Sequence, residues 1–260
     1  MIILSDLDGT LLNHDDYAYH AAKPALEALR VNHIPLILCS SKTAAEIIPL
    51  RSEMGFHDCP AIIENGAGIL KEQAMSMASL STHKQLMDVI NTLPESSRQL
   101  FSGISSWPVE ALQQYTGLSK AALSLATQRQ YSEPGLWSGD ETSKQAFIAA
   151  LKIKGVGAHQ GGRFLTLSFK SSKAFMAQKI IADYQSNQTE SLTIVALGDA
   201  PNDIEMLQLA DIAVIIPNPA HTGIPTLVDE SNGRGQIIRA NKPGAAGWNS
   251  MVLEILNDSN

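Results

Sequence analysis

Two aspartates, Asp6 and Asp8, stand one residue apart in the opening stretch MIILSDLDGT. They follow the apolar run Ile2-Ile3-Leu4, which reads as a buried strand. Like charges that close repel each other, and burial adds a desolvation cost to each. A bound cation would offset both costs. Two plainer readings compete. Asp-Gly favours a turn, but a turn leaves Asp6 unexplained. A calcium loop beginning at Asp6 would need glycine where Leu11 stands and glutamate where Tyr17 stands.

A second acid cluster follows another apolar run. In LTIVALGDAPNDIEML, Asp199 and Asp203 come just after Leu192–Leu197. Ligands of open α/β sheets bind at the carboxyl ends of the strands. If the sheet is parallel, the two clusters share one edge, and three or four carboxylates converge there. A hard divalent cation such as Mg²⁺ binds through oxygen, commonly with few carboxylates plus phosphate oxygens and waters. Asp203 has an alternative use as a helix cap.

The elements that must position these acids follow from apolar patterning. MIILS, IPLILC, PAIIE, LTIVAL and DIAVII read as strands. KPALEALRVNH and PNDIEMLQLA read as helices, and Thr43 with Glu46 fits a capping box whose helix stops at Gly55. Continuous apolar strands alternating with helices predict a parallel sheet covered on both faces. Between His83 and Phe169 the pattern changes. VGAHQ and RFLTLSF flank Gly161-Gly162 as a hairpin, while SKAALSLATQRQ and ETSKQAFIAALKIKG read as helices. The reading is an α+β module, residues 83–169, inserted in an α/β domain formed by 1–82 and 170–260.

Composition bounds the function. The chain has 260 residues, 44% hydrophobic and 17% charged, as an ordinary globular protein does. Its formal charge of −7 argues against a nucleic-acid partner. The insert carries 8 basic and 6 acidic side chains, the remainder 11 and 20. An acidic core suits a cation and a slightly basic insert an anionic substrate; drift of surface charge gives the same count. Cys39 and Cys59 read as free thiols of a reducing compartment. Asp6 and Asp8 interrupt the N-terminal apolar run, and nothing approaches the roughly 20 apolar residues of a membrane span. A cytoplasmic protein without membrane association is expected; the sequence carries no signal for its oligomeric state. The seven histidines form no H-E-x-x-H and no zinc spacing with cysteine, and no P-loop is present.

DLDGT, Ser40 after the second strand, Lys173 opening a late helix, and GDAPND together resemble the four motifs of haloacid dehalogenase-type phosphatases. The resemblance runs through the whole chain in order. It implies a Rossmann-like parallel-sheet core with an inserted α+β cap of the C2 type. CSSKTAAEI, ENGAGI and LATQRQYSEP further resemble mannosyl-3-phosphoglycerate phosphatases. Gln130 stands where those relatives carry an acid, and Ala174 where many carry glycine.

The resemblance implies an aspartyl-phosphate mechanism. Asp6 is the implied nucleophile, and Asp8 the acid and base that serves the leaving group and then water. Mg²⁺ is implied at Asp6, the Asp8 backbone carbonyl and Asp199, with Asp203 as a further ligand or an orienting neighbour. Ser40 and Lys173 are the implied donors to the transferring phosphoryl group. Ser41 or Thr43 could cap the helix, and Lys170 competes with Lys173 from the strand end. Substrate contacts are expected from Ser41, Lys42, Glu64, Asn65 and Asn202 in the core and from Arg129, Ser132, Glu133 and Arg163 in the cap. An arginine can grip a carboxylate or phosphate in two places. The resemblance implies Mg²⁺-dependent hydrolysis of a small phosphorylated glycoside, mannosyl-3-phosphoglycerate, to mannosylglycerate and phosphate. Alternatives are the glucosyl analogue or a broader set of sugar phosphates, a sugar phosphomutase, and a non-catalytic sugar-phosphate binder.

Overall fold

A computed structural model describes residues 1–71, 77–161, 163–169, 172–186, 189–220, 222–227 and 236–258, with only the backbone at 77–81. Chain order begins β1 (Ile2–Ser5), α1 (Lys23–Val31), β2 (Leu36–Cys39), α2 (Ala44–Glu53), β3 (Ala61–Ile63) and β4 (Gly68–Leu70). It continues α3 (Met77–Asn91), α4 (Glu95–Arg98), β5 (Phe101–Gly103), α5 (Val109–Thr116), α6 (Lys120–Ala126), β6 (Ser132–Trp137), α7 (Glu141–Ile153), β7 (Val156–Gly161) and β8 (Phe164–Phe169). It ends α8 (Lys173–Gln185), β9 (Ile194–Gly198), α9 (Ile204–Leu207), β10 (Ile212–Ile215), β11 (Gln236–Arg239) and α10 (Gly244–Asp258).

The expected parallel sheet is present. Seven strands run in the order β11-β10-β9-β1-β2-β3-β4, and only β4 is antiparallel to its neighbour. β1 is buried on both faces because its residues alternate between two cores. Ile3 packs with Leu26, Leu29 and Trp248 on the α1 and α10 side, while Ile2 and Leu4 pack with Ala177, Ile180 and Leu207. That explains a run of apolar residues without polar alternation. The chain builds outward from β1 in both directions, so the switch in strand order falls between β1 and β9, where ligands of such sheets bind.

A second sheet, β5-β6-β8-β7, is antiparallel throughout. One face is apolar: Leu165 and Leu167 of β8 pack against Leu86 and Ile90 of α3 and Phe147 and Leu151 of α7. α3 runs through residue 83, at which the sequence reading opened the insert. The hairpin of β7 and β8 is formed; Gly162 of its turn lies outside the described residues, as does Lys170.

Two helices are shorter than their sequences suggest. PNDIEMLQLA forms a tight turn at Pro201–Asp203 followed by the four residues of α9. α6 stops at Ala126 rather than running through Gln130. The N–H groups of Gln130 and Tyr131 leave the helical path to bond Glu64 of the core. The capping box of α2 forms as read: Glu46 N–H donates to Thr43 Oγ1, and Thr43 N–H to Glu46 Oε2. Cys39 and Cys59 are free thiols.

Candidate active site

Parallel pairing brings the strand ends level. Ser5 is in register with Leu38 of β2 and Leu197 of β9. The residues that follow the three strands, Asp6 after β1, Ser40 after β2 and Asp199 after β9, therefore emerge along one edge. Asp6 is pinned there by its N–H, which donates to the Leu197 carbonyl at 2.9 Å. Gly9 follows with φ +92, and a Cβ at that position would stand 2.2 Å from Asn218 Nδ2 and 2.8 Å from Asp199 Oδ2. Glycine is required there twice over, by backbone conformation and by space.

Asp199 is held at both oxygens: Thr10 Oγ1 donates to Oδ1 at 2.7 Å, and Asn218 Nδ2 to Oδ2 at 2.8 Å. Asp203 Oδ2 accepts the N–H groups of Asp199 and Ala200, each at 3.2 Å. Lys173, the first residue of α8, joins the two acid clusters. Its Nζ lies 2.5 Å from Asp6 Oδ1 and 2.7 Å from Asp203 Oδ1. Ser172 caps α8 through the Phe175 N–H. Gly66, at φ +89, allows that helix start to come close; a Cβ would sit 2.4 Å from the Lys173 nitrogen.

The electrostatics follow from burial. Asp6, Asp199, Asp203 and Lys173 are all buried. Burial pushes the Asp6 carboxyl well above the usual carboxylate range; Lys173 opposes this, and Asp203 and Asp199 reinforce it. Burial also works against the Lys173 charge, but Asp203 and Asp6 outweigh it and hold the ammonium above its ordinary pKa. Lys173 therefore stays protonated, and the excess negative charge belongs to the carboxylates. Asp6, Asp199 and Asp203 present oxygens within 4.8 Å of one another. Fully ionised, three buried acids facing one ammonium would leave two negative charges uncompensated in a setting where such charge is costly. An oxygen-only donor set with that imbalance fits Mg²⁺. Asp203 already spends both oxygens on Lys173 and backbone N–H groups, which fits the orienting role better than that of a ligand.

Over these acids opens a cleft of about 410 Å³. Its floor includes Asp6, Asp8, Lys173 and Asp199, and its rim Ser41, Asn65, Arg129 and Asn202. The second sheet supplies the roof with its polar face. Thr166 of β8 and His159 of β7 line the cleft between residues that point into the apolar layer. Ser40 is buried beside the cleft, with its Oγ accepting the Lys42 N–H at 3.2 Å. Lys42 extends to Asp8, 2.9 Å from Oδ1; burial works against its charge, but the Asp8 carboxylate more than offsets this and raises its pKa.

Besides Lys42, four expected substrate contacts sit elsewhere or are already engaged. Glu64 is buried and accepts from Gln130 N–H (2.8 Å), Tyr131 N–H (3.1 Å) and Ser132 Oγ (2.7 Å), so Glu64 and Ser132 join core to cap. Glu133 points to the opposite face of β6 from Pro134, which lines the cleft. It is fully buried between His83 Nε2 (2.8 Å) and the Ser105 N–H (2.9 Å). Arg163 is exposed and donates to the Tyr115 carbonyl at 2.8 Å, away from the cleft. Arg129 does reach the cleft, where Nη1 donates to the Ser41 carbonyl at 3.0 Å.

The sequence reading passed over His159, Thr166 and Asn218. Alternation in RFLTLSF, with Leu165 and Leu167 inward, marks Thr166 for the other face. Asn218 follows the apolar strand DIAVII much as Asp6 and Asp199 follow theirs. His159 carries no local signal; only the fold brings it over Lys173. Burial, with the Lys173 charge, lowers its pKa.

The model of the haloacid dehalogenase-like hydrolase family matches residues 3–133 and 140–224. Solved structures agree in fold. A Thermoplasma acidophilum protein is 16% identical, with 98% of this chain and 97% of that one covered and a TM-score of 0.64. The sucrose-phosphatase of Synechocystis sp. PCC6803, solved with sucrose and phosphate, is 16% identical over 99% and 97% at a TM-score of 0.61. A haloalkanoate-superfamily phosphatase of Bacteroides thetaiotaomicron is 16% identical over 98% and 94% at 0.61. The chain belongs to the haloacid dehalogenase-like hydrolases. Among the described residues no helix is long and apolar enough to cross a membrane.

Proposed function

We propose that the protein is a Mg²⁺-dependent phosphatase of small phosphorylated glycosides, with mannosyl-3-phosphoglycerate as substrate and mannosylglycerate and phosphate as products. The observation that carries the reaction is the Lys173 ammonium, bridging Asp6 and Asp203 beside Asp199 on the floor of a roofed cleft. A binding protein has no need of a buried carboxylate whose ionised form must be forced upon the site.

Asp6, at the tip of β1, is placed to attack phosphorus and form an aspartyl-phosphate. Asp8 gives a proton to the departing oxygen and later takes one from the attacking water. Lys173 holds Asp6 in place and supplies positive charge beside the transferring phosphoryl group. Asn202, which lines the cleft, and Ser40, buried beside it, would donate to its oxygens. Mg²⁺ at Asp6, the Asp8 carbonyl and Asp199 would supply charge neutralisation between two anionic reactants. Thr10 and Asn218 fix Asp199 for that purpose. Uncatalysed phosphate-monoester hydrolysis is slow enough that enhancements reach the order of 10²¹, so all these terms must combine.

The substrate rests on other grounds. A cleft of about 410 Å³ is within the range for small ligands. The sucrose-phosphatase that shares this fold binds a disaccharide and phosphate, which supports a glycoside class. The motifs in LATQRQYSEP support the mannosyl-3-phosphoglycerate family, with Arg129 as the contact for the glycerate carboxylate. The glucosyl analogue fits the same chemistry. The test compares kcat/KM for phosphate release from mannosyl-3-phosphoglycerate and from mannose 6-phosphate, each with Mg²⁺ and with chelator. A large Mg²⁺-dependent preference for the glycerate compound is expected. Comparable rates on both would keep the phosphatase and remove the substrate assignment.

A further inference from the structure

Lys42 was expected to touch substrate, yet among the described residues Asp8 lines the cleft and Lys42 does not. We propose instead that Lys42 is a positioning residue for Asp8, a claim that rests on the phosphatase reading above. Both ends of Lys42 are fixed. Its N–H donates to Ser40 Oγ at 3.2 Å, and its carbonyl accepts the Glu64 N–H at 2.9 Å. The residue is thus built into the two strand ends that frame the site. Its ammonium lies 2.9 Å from Asp8 Oδ1 and 4.9 Å from the Tyr17 ring centroid. An aromatic face at that distance attracts a cation and limits where it can go. Tyr17 itself holds a left-handed backbone at φ +55, a conformation that costs energy in a non-glycine residue.

Asp8 Oδ1 is buried and has no aligned hydrogen-bond donor among the described residues; the ion pair with Lys42 is what holds it. The Asp8 side chain as a whole is 32% exposed. The accessible oxygen is therefore Oδ2, and Lys42 approaches from behind. This bears directly on the proton transfers. When Asp6 attacks, the phosphorus–oxygen bond to the alcohol breaks and the proton on the Asp8 carboxyl passes to that oxygen. In the second half, the Asp8 carboxylate takes a proton from water, whose oxygen displaces Asp6 from phosphorus to give phosphate. Both transfers need one carboxyl oxygen aimed at the same place. Lys42 aims it by fixing the other.

A residue that acts through the acid affects esters unequally. An alkoxide leaves only with a proton, whereas p-nitrophenolate leaves readily without one. General acid–base catalysis contributes on the order of 10²- to 10⁴-fold, so misplacing the acid should forfeit about tenfold or more of it. The measurement is kcat/KM, which reports the steps up to aspartyl-phosphate formation, for mannosyl-3-phosphoglycerate, ethyl phosphate and p-nitrophenyl phosphate. The ratio of alkyl to aryl values should fall at least about tenfold in Lys42→Met and recover substantially in Lys42→Arg. A ratio unchanged in Lys42→Met overturns the proposal, and so does a fall confined to mannosyl-3-phosphoglycerate and not shared by ethyl phosphate, an alkyl ester with no sugar or glycerate for Lys42 to touch; a general loss of structure lowers all the esters together. A native protein that cleaves the aryl ester but neither alkyl ester also overturns it, for there is then no assisted departure to aim. Native protein inert toward all three esters overturns the phosphatase reading itself.

Discussion

A single ammonium decides the character of the site. Lys173 lies within 2.7 Å of two carboxylates that the sequence separates by 197 positions. Its charge keeps Asp6 from being wholly isolated, but burial and two further acids still push the Asp6 pKa up. As the proposed nucleophile Asp6 must be ionised, and a cation would complete the cluster by favouring that form. His159, over the same lysine, shows the opposite response. Burial first, and then the Lys173 charge, disfavour its protonated form. The unfolded chain therefore binds more protons than the folded one from below the ordinary histidine value of about 6.5 down to the lowered folded value. Stability conferred by neutral His159 is present above that window and is lost as pH falls through it. Urea titrations between pH 8 and pH 5 should show His159→Gln losing less stability on acidification than the native chain; parallel losses would count against this.

Elements carry the site through their ends. β1, β2, β3 and β9 each deliver a polar residue one step past an apolar run: Asp6, Ser40, Glu64 and Asp199. This much was legible in the sequence, because a parallel core strand is apolar without interruption and its end is abrupt. The two acid clusters, the α2 capping box and the β7–β8 hairpin could be read for the same reason: their signals are local. What was not legible depends on contacts between distant segments. Glu64 looked like a substrate contact because it follows a core strand. Its carboxylate instead collects the start of β6, and that pull ends α6 early. Glu133 looked like part of a binding motif, but alternation along β6 turns it toward His83. Glu64→Ala removes three hydrogen bonds to a charged acceptor and should cost about 2–4 kcal/mol by chemical denaturation. It should also speed hydrogen exchange at 127–132. Unchanged exchange there would mean that Glu64 does not tie the two sheets together.

At the scale of the molecule, a rigid parallel sheet presents the acids and a second sheet closes over them with its polar side. The apolar side of that second sheet is spent on α3 and α7, so Thr166 and His159 are free to face the cleft. On the proposed function, hydrolase chemistry would belong to the first sheet and choice of substrate to the second. Because the acid cluster carries net negative charge, binding Mg²⁺ should stabilise the whole fold. At a hundred times its dissociation constant a ligand adds about 2.7 kcal/mol. Thermal unfolding should move up on adding Mg²⁺ to the native chain and stay put in Asp199→Asn, and equal shifts in both would place the cation elsewhere. The most direct test of the account is phosphate release by native protein and by Asp6→Asn, measured with Mg²⁺ present on the same sugar phosphate. Release is expected from the native chain and none above background from the variant; equal release from both would mean that Asp6 is not the nucleophile.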